Sequence, residues 1–282
     1  MTQKYRTLGL ALAAVIPASL RAIMVRTEKP TGAPLVSVIT AVFNNIHVVG
    51  DALQSVQEQD YPNIEHILID GGSTDGTFEF LNARRAQLSY LISEPDTGIY
   101  DALNKGIKVA QGEYIAILHS DDVFDSPHVI SALVESLEQN GADVCCSDVV
   151  ITDRQSNSIQ RFYMAHYFRN WLLRIGWMPP HPGLLIRRSI HERFGVYDTQ
   201  YKIAGDFDFL VRIFLSDAVS WTYLNQVTTK MRTGGASNSG IRSKLNILRE
   251  QNSILRRHGF FSSPLLLGLR YPLRFFELFA RP

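Results

Sequence analysis

The stretch IEHILIDGGSTDG, residues 64–76, decides the fold, because the pattern of a buried strand runs directly into a glycine-rich acidic turn. Ile64–Ile69 carries the apolar and β-branched residues of a strand that is buried on both faces. Asp70 follows at the end of this strand, and the glycines after it let the backbone approach a ligand closely. The pattern fits a ribose or base site, and it also fits a tight turn in which Thr74 or Asp75 caps the next helix.

Predicted strands alternate with predicted helices on both sides of this stretch. The strands are Val36–Val42, Ile64–Ile69, Leu88–Ile92, Tyr114–Leu118 and Asp143–Ser147, with helical spacing of apolar residues between them. This alternation predicts parallel βαβ units and therefore an α/β fold, with a Rossmann-like, mostly parallel sheet flanked by helices. In such sheets ligands bind beyond the carboxyl ends of the strands, where the acidic motifs lie. The pattern is looser over Gln155–Pro182, and then predicts a strand at Gly183–Ile186 and a helix at Phe207–Phe214.

Two adjacent carboxylates follow the predicted strand Tyr114–Leu118, in the motif Ser120-Asp121-Asp122. Neighbouring negative charges at the end of an apolar strand are costly unless a cation compensates them. Hard oxygen ligands suit Mg²⁺ or Mn²⁺, and either ion would also neutralise a diphosphate. We therefore expect a metal site here, although capping of the next helix by Asp121 or Asp122 is the structural alternative.

A third acidic motif, Gly205-Asp206-Phe207-Asp208, stands where the predicted helix begins. A carboxylate at a helix N-terminus is held ionised and can act as a general base toward a hydroxyl, which makes Asp206 the candidate base. A plain helix cap is the alternative for Asp206. His181 is a weaker candidate, either as a metal or diphosphate ligand or as a packed loop histidine.

In this order and spacing, the motifs resemble the family 2 glycosyltransferases of the GT-A fold, the bacterial polysaccharide-building type. The resemblance covers about residues 35–215 and is strongest in VSVITAVFNN, DYPNIEHILIDGGSTDGT, SEPDTGIYDALNKGI and GEYIAILHSDD. It implies that Asp206 is the catalytic base, that Asp122 binds the metal, with His181 as a further ligand candidate, and that a set of residues binds the donor. That donor set is Thr40, Ala41, Asn44, Asp70, Asp96, Asn104, Lys105 and Asp121.

The resemblance also implies an activity. A metal-dependent, inverting transferase would move a hexose from a nucleotide-diphosphate sugar to a glycan or polyprenyl-linked acceptor in cell-surface polysaccharide synthesis. Lys230–Gly235 would close over the diphosphate, or else form an ordinary surface loop. Two positions depart from the family pattern: Gly71 stands where a second Asp is common, and Gly205 where Glu is common. The alternative function is an inactive subunit that binds nucleotide sugar, whereas a nucleotidyltransferase would need a triphosphate loop that the chain lacks.

Charge is unevenly distributed along the chain. The net charge is +1, but Lys230–Pro282 holds ten Lys or Arg against two acids, so residues 1–229 carry about −7. We predict three parts: an apolar leader at 1–33 that lies at an interface, a GT-A catalytic domain at 34–235, and a basic amphipathic helical tail at 236–282. Leu267, Arg270, Tyr271 and Arg274 recur at helical spacings in this tail.

The tail predicts contact with an anionic membrane, and packing on the catalytic domain is the alternative. No nucleic-acid-binding module is recognisable. Cys145 and Cys146 are adjacent, so a disulfide between them is disfavoured and a reducing compartment is expected. The predicted location is the cytoplasm, peripheral on the inner face of the cell membrane, and a homo-oligomer is compatible with the sequence.

Overall fold

A mixed sheet forms the centre of the chain in the computed structural model, which describes residues 32–153, 158–233 and 241–270. Within these residues the sheet has nine strands in the order β3-β2-β1-β4-β8-β6-β9-β5, with β7 paired to β6. The strands are β1 Val36–Val42, β2 Ile64–Asp70, β3 Tyr90–Ser93, β4 Tyr114–Ile117, β5 Val123–Phe124, β6 Val144–Thr152, β7 Ile159–Tyr163, β8 Leu184–Arg187 and β9 Trp221–Arg232.

Helices cover both faces of the sheet, which confirms the α/β class. They are α1 Val49–Gln57, α2 Thr77–Asn82, α3 Ile99–Val109, α4 Val129–Asn140, α5 Arg188–Phe194, α6 Gly205–Phe214, α7 Ile241–Arg257 and α8 Pro264–Gly268. Residues 1–31 of the predicted leader lie outside the described residues. Within them, no helix combines the length and the apolar character that crossing a membrane requires.

The first four strands along the sheet, β3-β2-β1-β4, are parallel, as the alternating pattern predicted. Val42 at the end of β1 lies beside Asp70 at the end of β2, and Asp70 lies beside Ser93 at the end of β3. The carboxyl ends of these strands therefore meet at one edge of the sheet, where the acidic turns follow.

Beyond β4 the sheet is mixed, so the parallel arrangement does not extend over the whole of it. β8 is antiparallel to both β4 and β6, and β9 runs parallel to β6 but antiparallel to β5. The chain reverses directly after Asp122, and the short strand β5 pairs Val123 with Lys230 of β9. This return brings the end of β9 beside the second acidic motif.

The predicted tail packs on the rest of the protein over the residues described. Ile254 and Leu255 of α7 and Leu267 of α8 are completely buried. The guanidinium of Arg270 is also buried, and donates to the carbonyl oxygen of Gly176 at 2.9 Å. Leu267 and Arg270 therefore do not face a membrane, which corrects that part of the prediction. Tyr271 and Arg274 lie outside the described residues.

Candidate active site

Asp70 organises the glycine-rich turn after β2. Its side chain is completely buried, and its carboxylate accepts hydrogen bonds from the Ser73 backbone N–H and hydroxyl and, at 2.5 Å, from the hydroxyl of Ser93. The carboxylate thus fixes the start of the turn to the end of β3. A direct contact of Asp70 with the donor stays a prediction. Nothing in the sequence pattern pointed to Ser93, because its partner is 23 residues away.

The loop after β1 is bonded to both acidic turns. Asn44 has a positive φ of 47°, its backbone N–H donates to the Ser73 hydroxyl, and its side-chain oxygen accepts from the Thr74 N–H. Asn45 donates from its side chain to the hydroxyl of Ser120 at 2.9 Å. The glycine-rich turn and the Ser120-Asp121-Asp122 motif are therefore held to the same two-residue segment.

Gly71, which departs from the family pattern, has a steric explanation. A Cβ at this position would lie 2.5 Å from the Asp96 carboxylate and 3.4 Å from the Phe43 ring. Asp96 also accepts a hydrogen bond from the N–H of Gly98. Asp96 thus lies where a side chain at position 71 would be. Phe43 is 62% exposed next to it, and an aromatic residue directly after a strand was the signal that could have identified it.

Two residues of the predicted donor set are withdrawn from this edge. Thr40 and Ala41 are buried within β1, and the Thr40 hydroxyl bonds the His66 ring at 3.0 Å. Burial lowers the pKa of His66 to about 3, so the ring is neutral. The side chains of Thr40 and Ala41 thus lie in the interior of a strand that is buried on both faces, and their place around a nucleotide stays a prediction.

Asn104 and Lys105, on α3, are bonded to neighbouring segments of the protein. The side-chain amide of Asn104 bonds both the N–H and the carbonyl of Tyr197, at 2.9 and 2.8 Å. The ammonium of Lys105 lies 3.0 Å from Glu94 and donates to the carbonyl of Pro95. In this structure both side chains are engaged with protein groups, and their predicted donor contacts remain untested.

Asp122 is the most deeply buried carboxylate of the second motif. Burial raises its pKa well above the ordinary value and the negative charge of Asp121 adds to this, while the backbone N–H and the charge of Arg232 oppose it. Its Oδ2 atom is buried and has no hydrogen-bond partner among the residues described. A buried carboxylate oxygen without a donor, with a second carboxylate beside it, is a suitable ligand pair for a hard divalent cation.

The protein would supply only part of such a coordination sphere. Among the described residues, no group of three or more His, Cys, Asp or Glu side chains is placed to hold a metal ion. Asp122 and Asp121 fit a cation whose other ligands are substrate oxygens and water, as is common for Mg²⁺.

Cationic side chains lie next to this motif, at the end of β9. Lys230 forms an ion pair with Asp125 at 3.0 Å, and Arg232 with Asp51 at 2.5 Å. The sequence predicts that Lys230–Gly235 is a loop, either a closing one or an ordinary surface one. In the structure Lys230–Arg232 belong to a strand, because β5 and β6 pair with them. Gly234 and Gly235 lie outside the described residues.

His181 lies between His119, which directly precedes the second motif, and Tyr197. Its ring centroid is 5.9 Å from that of His119, and its Nε2 atom bonds the Tyr197 hydroxyl at 2.8 Å. Burial, with smaller effects from His119 and His191, lowers the pKa of His181 to about 3. The engaged Nε2 favours the packed-histidine alternative, and a role as metal ligand stays a prediction.

Asp206 lies in the first turn of α6. Its Oδ1 atom accepts hydrogen bonds from the Phe207 N–H at 2.8 Å and from the Tyr100 hydroxyl at 3.1 Å. Burial raises its pKa to about 6; these two hydrogen bonds oppose that rise and the charge of Glu250 adds to it. A carboxylate with this pKa is ionised at neutral pH and is a stronger proton acceptor than an ordinary aspartate.

Gly205 departs from the family pattern because Tyr100 occupies the space. A Cβ on Gly205 would lie 2.8 Å from two atoms of the Tyr100 ring. The Tyr100 hydroxyl also bonds the carbonyl of Ile203 at 2.6 Å, and its ring centroid is 5.7 Å from that of Tyr197. Tyr100 is the second residue of α3, which follows the loop of Asp96, so the candidate base lies beside the predicted donor loop.

The chain belongs to glycosyl transferase family 2, whose family model matches residues 37–197, more than half of the sequence. An uncharacterized glycosyltransferase of Mycobacterium tuberculosis is 35% identical over 191 residues, which cover 66% of this chain and 71% of that protein. A PGL/p-HBAD biosynthesis glycosyltransferase of Mycobacterium bovis is 28% identical over 212 residues, 73% of this chain and 80% of the relative.

Solved structures of similar fold include glycosyltransferases of the GT-A type. TarS of S. aureus (residues 1–349) in complex with UDP-GlcNAc matches with a TM-score of 0.62 and 17% identity, over 78% of this chain and just under two thirds (66%) of that chain. The mannosyltransferase PcManGT of Pyrobaculum calidifontis, in complex with GDP-Man and Mn²⁺, has a TM-score of 0.62 and 18% identity over 91% of this chain and 72% of that one. At these identities the likeness shows the fold alone.

Proposed function

We propose that this glycosyltransferase moves a hexose from a nucleotide-diphosphate sugar to an acceptor hydroxyl in one displacement, with inversion at the anomeric carbon. The observation that carries the proposal is the environment of Asp206. Its carboxylate is largely withdrawn from water, has a pKa of about 6 and is held by Tyr100 beside the loop of Asp96. Such a group is suited to take a proton from a hydroxyl at neutral pH.

In the proposed reaction, the acceptor oxygen attacks the anomeric carbon while Asp206 takes the proton from that hydroxyl. The bond between the anomeric carbon and the diphosphate oxygen breaks, and the nucleoside diphosphate leaves with the bonding electrons. The Tyr100 hydroxyl and the Phe207 N–H keep the Asp206 carboxylate in place during proton transfer. One group suffices as base, because the leaving diphosphate needs no proton.

The donor lies, in this proposal, along the edge formed by the ends of β1, β2 and β4. Asp122 and Asp121 would hold Mg²⁺ or Mn²⁺ there, and a divalent cation supplies charge neutralisation for the leaving diphosphate. Asp70 and Asn44 shape the turn near the nucleoside, and Asp96 lies between it and α3. The exposed ring of Phe43 offers an aromatic face on which the nucleobase of the donor can stack.

The acceptor is proposed to be a glycan or a polyprenyl-linked sugar of a cell-surface polysaccharide, met at the inner face of the cell membrane. Phe261, Leu265 and Leu269, which lie in or beside the short helix α8, are 83%, 87% and 54% exposed. Arg174 lies over the ring of Phe260 and Arg256 bonds the carbonyl of Ser262, so cations flank Phe261. Apolar side chains flanked by arginines match an anionic lipid surface.

Thermal unfolding with a panel of nucleotide sugars, each with and without Mn²⁺, tests the donor assignment. The cognate donor should raise the melting temperature, and more so with Mn²⁺, because binding stabilises only the folded state. Incubating that donor with short glycans or polyprenyl-linked sugars should then yield a product of inverted anomeric configuration by NMR. A product that retains the configuration, or a complete lack of donor binding, would refute the proposal.

Sedimentation with vesicles tests the membrane contact separately. The full chain should pellet with phosphatidylglycerol vesicles, less with phosphatidylcholine vesicles, and Phe261→Ser with Leu265→Gln should abolish pelleting. Leu245→Gln is the matched control, because Leu245 is an exposed leucine on α7. Pelleting that does not depend on Phe261 and Leu265 would contradict this contact.

A further inference from the structure

A side chain outside the predicted catalytic domain is bonded to the segment that carries Asp206. Glu250 of α7 accepts hydrogen bonds from three consecutive backbone N–H groups: Lys202 at 3.1 Å, Ile203 at 3.0 Å and Ala204 at 2.8 Å. These residues immediately precede α6, of which Asp206 is the second residue. The bonded residues are 46 to 48 positions apart in sequence.

This carboxylate holds the backbone that leads into α6. The residue in the N-cap position is Ala204, which has no side chain able to cap the helix. The three N–H groups that donate to Glu250 belong to Ala204 and the two residues before it, and a negative charge near a helix N-terminus is favourable. The path of the chain into the first turn of α6 therefore depends on α7.

The same carboxylate acts on Asp206 through its charge. The groups facing Asp206 are the hydroxyl of Tyr100 on α3, the ring of Tyr197 and the carboxylate of Glu250 on α7. On α6 itself, Asp208 is bonded to Arg212 and His258. Of these groups, Glu250 is the one whose negative charge raises the pKa of Asp206. Its two effects are distinct: hydrogen bonding fixes position, and charge favours the protonated base.

We propose that Glu250 is a positioning residue of the transfer reaction, which fixes the backbone that leads to Asp206 and adds a negative charge near its carboxylate. This inference rests on the proposed function of Asp206 as the base. It assigns a part in catalysis to α7, within the stretch that the sequence indicated as a membrane-binding tail.

The variants Glu250→Gln and Glu250→Ala separate the two effects. Glutamine keeps one acceptor oxygen, which can serve the N–H groups of Ile203 and Ala204, but loses the charge and the bond from Lys202. The pKa of Asp206 should therefore fall, and the acid limb of the kcat–pH profile should move about 0.5 unit lower. Alanine also removes the hydrogen bonds, so kcat at pH 8 should fall about tenfold or more, with the donor KM nearly unchanged. Arg249→Gln, at an exposed neighbouring position on α7, should change neither.

Titration of Asp206 by ¹³C NMR of aspartate-labelled protein, assigned with Asp206→Asn, does not depend on turnover. A lower pKa in Glu250→Gln supports the inference even if no transfer is detected, in which case only the proposed function fails. An unchanged pKa and an unmoved acid limb in folded Glu250→Gln would overturn it. So would a fall of kcat in Glu250→Ala that Arg249→Gln reproduces. If Glu250→Ala does not fold, Glu250→Gln and the titration decide.

Discussion

Asp122 and Asp206 lie in different halves of the molecule, and burial raises the pKa of both. Asp122 follows the parallel strands, with an oxygen that no described residue bonds and a cation, Arg232, nearby. Asp206 lies in the half that contains the mixed strands. It accepts hydrogen bonds from two neutral donors, and the negative charge of Glu250 lies near it. The first carboxylate keeps an oxygen that a cation could bind, in line with the proposed metal site. Hydrogen bonds from the protein hold the second, in line with its proposed role as the base.

Replacing the second carboxylate should have the largest effect. Asp206→Asn keeps the shape but removes the proton acceptor, so kcat should fall about 10²–10⁴-fold while donor binding is retained. Steady-state kinetics and donor titration measure the two quantities. Asp217→Asn, at an exposed turn, is the control. Equal loss of donor affinity in Asp206→Asn would place this residue in binding rather than in catalysis.

The same variant, Asp206→Asn, should lose activity but gain thermal stability at pH 8. The folded pKa of Asp206, about 6, lies above the ordinary 3.8, so its favourable contribution is complete below pH 3.8 and is lost as pH rises through 6. At pH 8 the buried charge is a cost, and Asp206→Asn should therefore melt at a higher temperature than the wild type. At pH 4 this gain should largely vanish.

Replacing the first carboxylate should remove the response to metal. Asp122→Asn weakens the cation site, so activity with Mn²⁺ should fall about 100-fold, and EDTA should affect the wild type far more than the variant. Mn²⁺ should likewise raise the melting temperature of the wild type only. The neighbouring Asp125→Asn, which breaks the ion pair with Lys230, is the control. A normal Mn²⁺ response in Asp122→Asn would remove the distinction between the two carboxylates.

Filling the space beside the second carboxylate should cost stability. Gly205→Ala places a methyl group 2.8 Å from the buried Tyr100 ring, so the free energy of unfolding should fall by about 1–3 kcal/mol. Urea denaturation measures it. Gly268→Ala is the matched control, since a Cβ on this helical glycine meets nothing within 4 Å. Equal stability of the two variants would show that Tyr100 moves aside freely.

The smallest effect is expected from removing one donor to Asp206. Tyr100→Phe removes a hydrogen bond that lowers the pKa of Asp206, so the acid limb should shift to higher pH, by less than about one unit. Activity should fall several-fold near pH 6 and less at pH 8. Tyr61→Phe, which loses a hydrogen bond to Pro34 elsewhere, should leave the profile unchanged. A shift to lower pH would contradict the assigned role of the Tyr100 hydroxyl.

Local patterns were sufficient to predict the parallel half. The acidic turns at the ends of β2 and β4 follow from apolar runs that give way to Asp70 and to Ser120-Asp121-Asp122, and parallel strands bring such ends together. The partners that set the chemistry of Asp206 were not predictable in this way. Tyr100 lies 106 residues from Asp206, and Glu250 lies 46 to 48 residues from the backbone groups that it bonds; no periodicity encodes such contacts.

The tail shows a second limit. An apolar stripe with arginines has the same spacing whether it meets lipid or protein, so the sequence could not distinguish the two. In the structure Leu267 and Arg270 are buried against protein, whereas Leu265 and Leu269 are exposed. Arg270 faces inward because its guanidinium donates to the carbonyl oxygen of Gly176 and to the side-chain oxygen of Gln251, contacts that the spacing of the tail does not encode.

The two asparagines after β1 have a consequence for the thermodynamics of ligand capture. Asn44 is bonded to the glycine-rich turn and Asn45 to Ser120. Both acidic turns are therefore held in place before a nucleotide binds. A ligand that enters a preorganised cleft loses less side-chain and loop entropy on association. Removing either hydrogen bond should weaken nucleotide binding through an entropic penalty. Calorimetry would register this penalty as a less favourable TΔS of binding at nearly constant ΔH.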